Sequence, residues 1–165
     1  MQEMLLRPKY NYCFDTSALI DLNEDYPIDI FKPIWMKLEN LIRNGAAHSP
    51  REVFKEIGFE DDDLLKWAKK NRSMFRNLDD QQVEKIKEVL KIFPNLVDSK
   101  KEFAHADPFI IAHALCNGCT VVTSEKPSPP GARVIQIPNV CDFYKIKCIS
   151  LLKFFRDNGL RLKIA

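Results

Sequence analysis

A three-layer α/β/α sandwich with a central parallel sheet is the fold this sequence predicts, and three observations predict it. Short runs, Tyr12 to Phe14, Ala46 to His48, the β-branched Thr120 to Val122, and Arg133 to Ile137, read as buried strands. Between them lie segments whose apolar residues recur at three and four positions, the period of a helix with one face in a core. The 165 residues, 45 % hydrophobic and 29 % charged, are enough for one domain over 1–165 that closes its core without disulfides or a structural metal. Strands buried on both faces and separated by helices pair in parallel, with helices covering either side.

The first strand ends at Asp15, after which Thr16 or Ser17 can cap a short helix carrying Ala18, Leu19, Ile20 and Leu22. Asn23 to Pro27 ends it. Phe31, Ile34, Trp35, Leu38, Leu41 and Ile42 share one face of a long helix over 31–43, with Pro33 tolerated in its first turn and Gly45 behind its end. After the second strand, Ser49-Pro50 reads as a cap with proline at the first helical position, opening a short helix that stops at Gly58. Glu60 to Asp63 place negative charge at the start of a helix reaching about Arg72. Asp79 or Asp80 opens another, with Val83, Ile86, Leu90 and Phe93 facing inward, and Pro94 stops it. Ala106-Asp107-Pro108 repeats the cap-then-proline signature and starts an apolar helix through Leu115 that Asn117-Gly118 closes. Lys126 to Gly131 is too rich in proline to be regular, and Leu151 to Asn158 forms a last helix.

Composition removes several function classes. The five glycines, Gly45, Gly58, Gly118, Gly131 and Gly159, are too dispersed to write a dinucleotide fingerprint or a phosphate-cradling loop. A net charge of +2 does not announce a nucleic-acid binder, though it leaves room for a local basic patch. Cys13, Cys116, Cys119, Cys141 and Cys148 suit reduced thiols better than a disulfide framework, and Cys116 with Cys119 lacks the second matching pair that a zinc site needs. Met1 to Lys9 has no apolar signal segment, and no run approaches the roughly 18–20 residues of a membrane span, so a cytoplasmic, membrane-free protein is expected.

In open parallel sheets ligands bind at the carboxyl ends of the strands. Acids gather at that rim. Asp15 follows the first strand, Glu52 and Glu56 lie on the helix after the second, Asp107 opens the helix leading back to the third, and Glu125 follows that strand. Several carboxylates packed together repel unless a divalent cation neutralises them, and oxygen-only ligation suits Mg²⁺ or Mn²⁺. Such a site hydrolyses phosphodiesters.

The segments CFDTSALIDL, HSPREVFKEI, HADPFIIAHA and VVTSEK resemble, in their order, the four acidic motifs of the PIN domain, over about Tyr10 to Leu160. The resemblance implies a metal-dependent endoribonuclease with an α/β/α sandwich, often dimeric, and in many members the toxin of a toxin–antitoxin pair, so that RNA and an antitoxin protein are the implied partners. It assigns Asp15, Glu56, Asp107 and Glu125 to metal binding and catalysis, with Thr16, Ser17 and Thr123 beside them. Glu52, one helical turn before Glu56, is the alternative second acid; its place in the first turn also suits the helix dipole. Glu125 stands where aspartate is common. Lys126, Lys55 and His105 are the residues expected to hold the substrate.

Each residue also has a plainer reading. Asp15 and Asp107 can be helix N-caps, Glu125 a solvated loop residue, and the three histidines satisfied core or surface groups. Lys66 to Arg72, with Arg76, can track an RNA backbone with a base on Trp67; a solvated helix face with Trp67 in the core is favoured. A PIN-like module without catalysis, serving RNA or protein binding, is the competing function. An aspartyl-phosphate phosphotransferase is disfavoured, because Ser17 stands where that chemistry needs a second aspartate.

Overall fold

The computed structural model describes residues 11–60, 62–97 and 106–164. The strands are β1 (Tyr12–Phe14), β2 (Ala47–Pro50), β3 (Phe75–Arg76), β4 (Thr120–Val122) and β5 (Cys148–Ile149). The helices are α1 (Thr16–Asp25), α2 (Lys32–Arg43), α3 (Arg51–Glu60), α4 (Asp62–Lys70), α5 (Asp80–Ile92), α6 (Asp107–Asn117), α7 (Ile137–Tyr144) and α8 (Leu151–Asp157). All strand pairs are parallel, in the order β3-β2-β1-β4-β5, so the chain winds one way from β1 through β2 and the other way through β4. Right-handed crossovers then put the connecting helices on opposite faces, which makes the three layers.

The side chains of β1 show the layering. Tyr12 and Phe14 point to one face, where both meet Phe154 of α8 edge-on at 5.0 Å, and Phe155 meets Tyr26, at the end of α1, at 4.9 Å. Cys13 and its register partner His48 point to the other, where His48 meets His113 of α6. The core is continuous across both layers, and all five cysteines are free thiols. Among the described residues no helix is long and apolar enough to cross a membrane.

Several expected boundaries differ. Ser49 and Pro50 complete β2 and the helix begins at Arg51, because Ser49 has another task. In this register the donor for the Phe14 carbonyl would be the backbone nitrogen of residue 50, and proline has none. Ser49 Oγ donates to Phe14 O instead, at 2.6 Å and fully buried. Ser49→Ala is therefore expected to strand a buried carbonyl beside Asp15 and cost about 1–3 kcal/mol, read from the urea midpoint. Gly58 does not stop α3, which continues to Glu60 with Val53 and Ile57 buried.

The strand expected over 133–137 is absent. That segment is irregular up to Gln136, and Ile137 opens α7, whose first turn accommodates Pro138. In α5 the expected Asp79 cap is present, reciprocated by Gln82, but Val83 lies on the surface while Gln82 and Val89 are buried. The helix is rotated from the purely apolar expectation because Gln82 is drawn in by a buried histidine. In α6 the cap position belongs to Ala106, and Asp107 is the first helical residue, so Asp107 is no N-cap. Gly118 closes that helix at φ 65°, the left-handed geometry that glycine adopts without strain. Trp67 lies in the core against Trp35, at 5.1 Å between ring centres, and donates to Glu39, which removes it as a platform for a base.

Candidate functional site

The winding reverses between β1 and β4, and the crevice beyond their carboxyl ends is where such sheets bind ligands. Asp15 and Thr123 are the residues that emerge there. Asp15 donates its backbone N–H to Val122 O at 2.9 Å, which extends the pairing by one residue and leaves the carboxylate 2 % exposed. Asp15 occupies the N-cap position of α1 yet makes no capping bond. Its Oδ2 accepts instead from Ser17 Oγ at 2.6 Å and Thr123 Oγ1 at 2.7 Å. Those hydroxyls are themselves oriented, since Ser17 Oγ accepts from Ser124 N and Thr123 Oγ1 from Glu125 N, both at 3.1 Å. Two hydroxyl protons thus converge on one buried carboxylate oxygen.

The next acid is joined through α1. Thr16 Oγ1 donates to Glu56 Oε1 at 3.1 Å, and the Ala106 N–H donates to the same oxygen at 3.1 Å. Glu56 therefore ties α3 to α1 and to the start of α6, where half-buried Asp107 follows directly. Glu52, one turn earlier, is equally sequestered at 6 % exposure, against 8 % for Glu56. Its Oε1 lies 3.8 Å from both Arg51 Nε and Lys55 Nζ, while its buried Oε2 has no hydrogen-bond partner among the described residues. A dipole-complementing first-turn glutamate would lie in solvent; this one does not.

Glu125 reaches elsewhere. Its Oε2 accepts from the Ile137 N–H at 2.9 Å, so it holds the start of α7. Asn139 fastens the proline-rich loop, exchanging bonds with the backbone of Ser128 at 2.9 and 3.1 Å. Lys126 is exposed at the base of that loop, and His105 lies outside the described residues. Lys55 stands beside Glu52 on the outer side of α3.

The family model for DUF4411, a domain of unknown function, matches residues 12–162. The chain belongs to the DUF4411 family. Every candidate acid lies inside the matched span, and no curated protein matches the chain.

The donor set of this DUF4411 domain fits a hard divalent cation in two respects. Asp15, Glu56, Thr16, Ser17 and Thr123 offer carboxylate and hydroxyl oxygens, and Glu52 Oε2 is a buried anionic oxygen lacking a hydrogen-bond donor among the described residues. Thr16, Ala106 and Thr123 link the segments that carry these carboxylates. Among the described residues, the one trio of ligand-type atoms lying within 4.8 Å of one another is His48, His113 and Cys119.

That trio sits at the opposite, amino end of the strands, and its ring nitrogens are already engaged. Gln82 Nε2 donates to His113 Nδ1 at 2.9 Å, His113 Nε2 to His48 Nδ1 at 2.5 Å, and His48 Nε2 to Asn11 Oδ1 at 2.5 Å. Asn11 Nδ2 continues to Asn117 O at 3.2 Å. Since an amide NH₂ can only donate, every tautomer along the chain follows from Gln82. Burial is the main force holding both rings neutral, lowering His48 to about 3 and His113 to about 4. With no ring nitrogen left over, the cluster is a satisfied polar network in the DUF4411 core. This matches the expectation of satisfied histidines for two of the three; no periodicity in the sequence marks their pairing.

Proposed function

We propose that this DUF4411 domain is a PIN-like, metal-dependent endoribonuclease. The observation that carries the reading is Glu52, a buried carboxylate with a bare oxygen one helical turn before Glu56, the acid that accepts from Thr16 next to Asp15. Asp15, Glu52, Glu56 and Asp107 are the residues that would hold Mg²⁺ or Mn²⁺, with Glu125 at the margin. When bound, such a cation supplies a water of lowered pKa as nucleophile and positive charge for the leaving oxygen. The protein's own groups supply orientation. Ser17 and Thr123 fix the Asp15 carboxylate, and Thr16 fixes Glu56, as outer partners do around oxygen ligands. Glu125 anchors α7 and with it the loop bearing Lys126, the cation proposed to meet a substrate phosphate.

The test is cleavage of a mixed RNA pool by purified protein with Mn²⁺, with Mg²⁺ and with chelator. Cleavage that needs the metal supports the reading; equal cleavage in chelator rejects it. Glu52 gives a second, activity-free readout. Mn²⁺ is expected to raise the melting temperature of wild type, and Glu52→Gln to lose most of that rise while melting no lower without metal. An undiminished rise in the variant removes Glu52 from the site.

The bond from Glu125 to Ile137 favours a second reading, a PIN-like module without catalysis, because it commits the fourth acid to holding a helix. Metal-induced stabilisation without any RNA cleavage would support that reading. The toxin role that the resemblance implies predicts growth arrest on expression of the active protein, relieved by a neighbouring gene product; harmless expression of an active enzyme counts against it.

A further inference from the structure

On the β3 side of the rim, α3, the turn after α4 and β3 enclose a cleft of about 420 Å³ lined by Arg51, Phe54, Lys55, Arg72, Phe75 and Asn77. Its composition departs from that of the chain. The whole protein is close to neutral, with 25 basic and 23 acidic residues, yet the lining holds three cations and no acid. The three cations and Asn77 are exposed, and the two phenylalanines are half-buried, their rings edge-on at 5.4 Å. The Arg72 guanidinium lies 5.0 Å from the centre of the Phe54 ring. The cleft adjoins the acids through Glu52, which sits 3.8 Å from both Arg51 and Lys55.

We infer that this cleft binds a single-stranded stretch of nucleic acid, with phosphates on Arg51, Lys55 and Arg72 and a base against Phe54 and Phe75. Cations beside half-buried aromatic rings are the combination by which proteins hold unpaired strands, the cations following the backbone and the rings taking any base face. A duplex offers phosphates but no free base face, so the rings select the single strand. Lys55, expected from the sequence to hold substrate, falls inside the cleft, as does Arg72, the end of the basic run that the sequence offered as a track for an RNA backbone. The position of the cleft beside the acids takes its meaning from the nuclease reading; its binding chemistry does not.

The test is binding in chelator, where a metal-dependent nuclease is silent, of a fluorescein-labelled 12-nucleotide uridine-rich RNA. Duplex RNA, polyphosphate and a poly-glutamate peptide serve as comparison ligands. Exchanging Arg51, Lys55 and Arg72 together for glutamine, all at exposed positions, is expected to weaken single-strand binding about tenfold or more and to flatten the salt dependence by about 2 log units per log unit, some 0.7 for each phosphate no longer neutralised. Phe54→Leu is expected to weaken RNA binding about fivefold or more while leaving polyphosphate binding unchanged, with circular dichroism confirming the fold. Should Phe54→Leu not fold, Phe54→Tyr, which keeps the ring and should keep affinity, is compared with the charge variant. Unchanged RNA affinity in the charge variant overturns the inference, as does equal loss of RNA and polyphosphate in Phe54→Leu, or tighter binding of poly-glutamate than of RNA. Binding as expected without any cleavage in metal rejects the nuclease reading alone; metal-dependent cleavage with a charge variant that binds normally rejects the cleft alone.

Discussion

Asp15→Asn is expected to abolish metal-dependent RNA cleavage and leave the protein folded. The amide has the size of the carboxylate, and its oxygen can occupy the Oδ2 position between the hydroxyls of Ser17 and Thr123. What disappears is the charge. Losing an outer partner of a metal ligand typically costs about 10–100-fold in metal affinity or activity, so loss of the ligand itself should exceed that. Without metal the melting temperature should stay level or rise, because burying an amide costs less than burying a carboxylate. Thr123→Val is the graded version, keeping the Asp15 charge but removing one of the hydroxyls that donate to it, with an expected loss of about 10–100-fold. Initial rates in Mn²⁺ and thermal melts of the same preparations measure all of this. Near-wild-type cleavage by Asp15→Asn would remove Asp15 from the reaction, and a fall in stability matching the fall in rate would make it a structural residue.

The second large effect is on stability against pH. His48 and His113 are neutral in the fold, lowered from the ordinary 6.5 to about 3 and about 4, chiefly because burial penalises the charged ring. Below pH 6.5 the unfolded chain therefore takes up protons that the folded chain refuses, and stability falls as pH falls. The loss begins near 6.5 and continues down to about 4 for His113 and about 3 for His48. At pH 5 the two rings together account for a loss on the order of 3 kcal/mol, a large share of the ~5–15 kcal/mol typical of a domain. Urea unfolding at pH 7, 6 and 5 measures it. His113→Gln, whatever it costs at pH 7, should roughly halve the slope; a wild type equally stable at pH 5 and pH 7 would mean the rings are not held neutral.

The parts of the fold legible in the sequence are those in which one physical rule acts alone. Tyr12–Phe14 and Thr120–Val122 are buried on both faces and have no competing helical period, so they read as strands directly. The segments α2, α6 and α8 carry an apolar face together with a proline or serine start or a glycine stop. The two-residue strands β3 and β5 were illegible because two residues have no period, and the sheet recruits them through neighbours distant in sequence. Val134, Ile135 and Ile137 imitated a strand, and only Pro138, in the next helix's first turn, signalled otherwise. At the site, the acids were legible as residues that a core would not tolerate at strand ends. Their individual commitments were not: that Glu125 holds α7 and that Glu56 binds the backbone at Ala106 depend on neighbours 12 and 50 residues away, and that Glu52 keeps a bare oxygen depends on how α3 packs.

The hydrogen-bonded chain from Gln82 to Asn11 has a further consequence. Strands of two to four residues offer little to fix how they slide past one another, and a slip of one residue turns every side chain to the opposite face. An apolar core would accept several such alignments at similar energy. A one-way file of donors and acceptors running from α5 through α6 and β2 to the approach of β1 accepts one, because any slip leaves buried ring nitrogens facing partners of the wrong kind. The file at one end of the strands thereby sets the alignment that places Asp15, Thr123 and the start of α3 opposite one another at the other end.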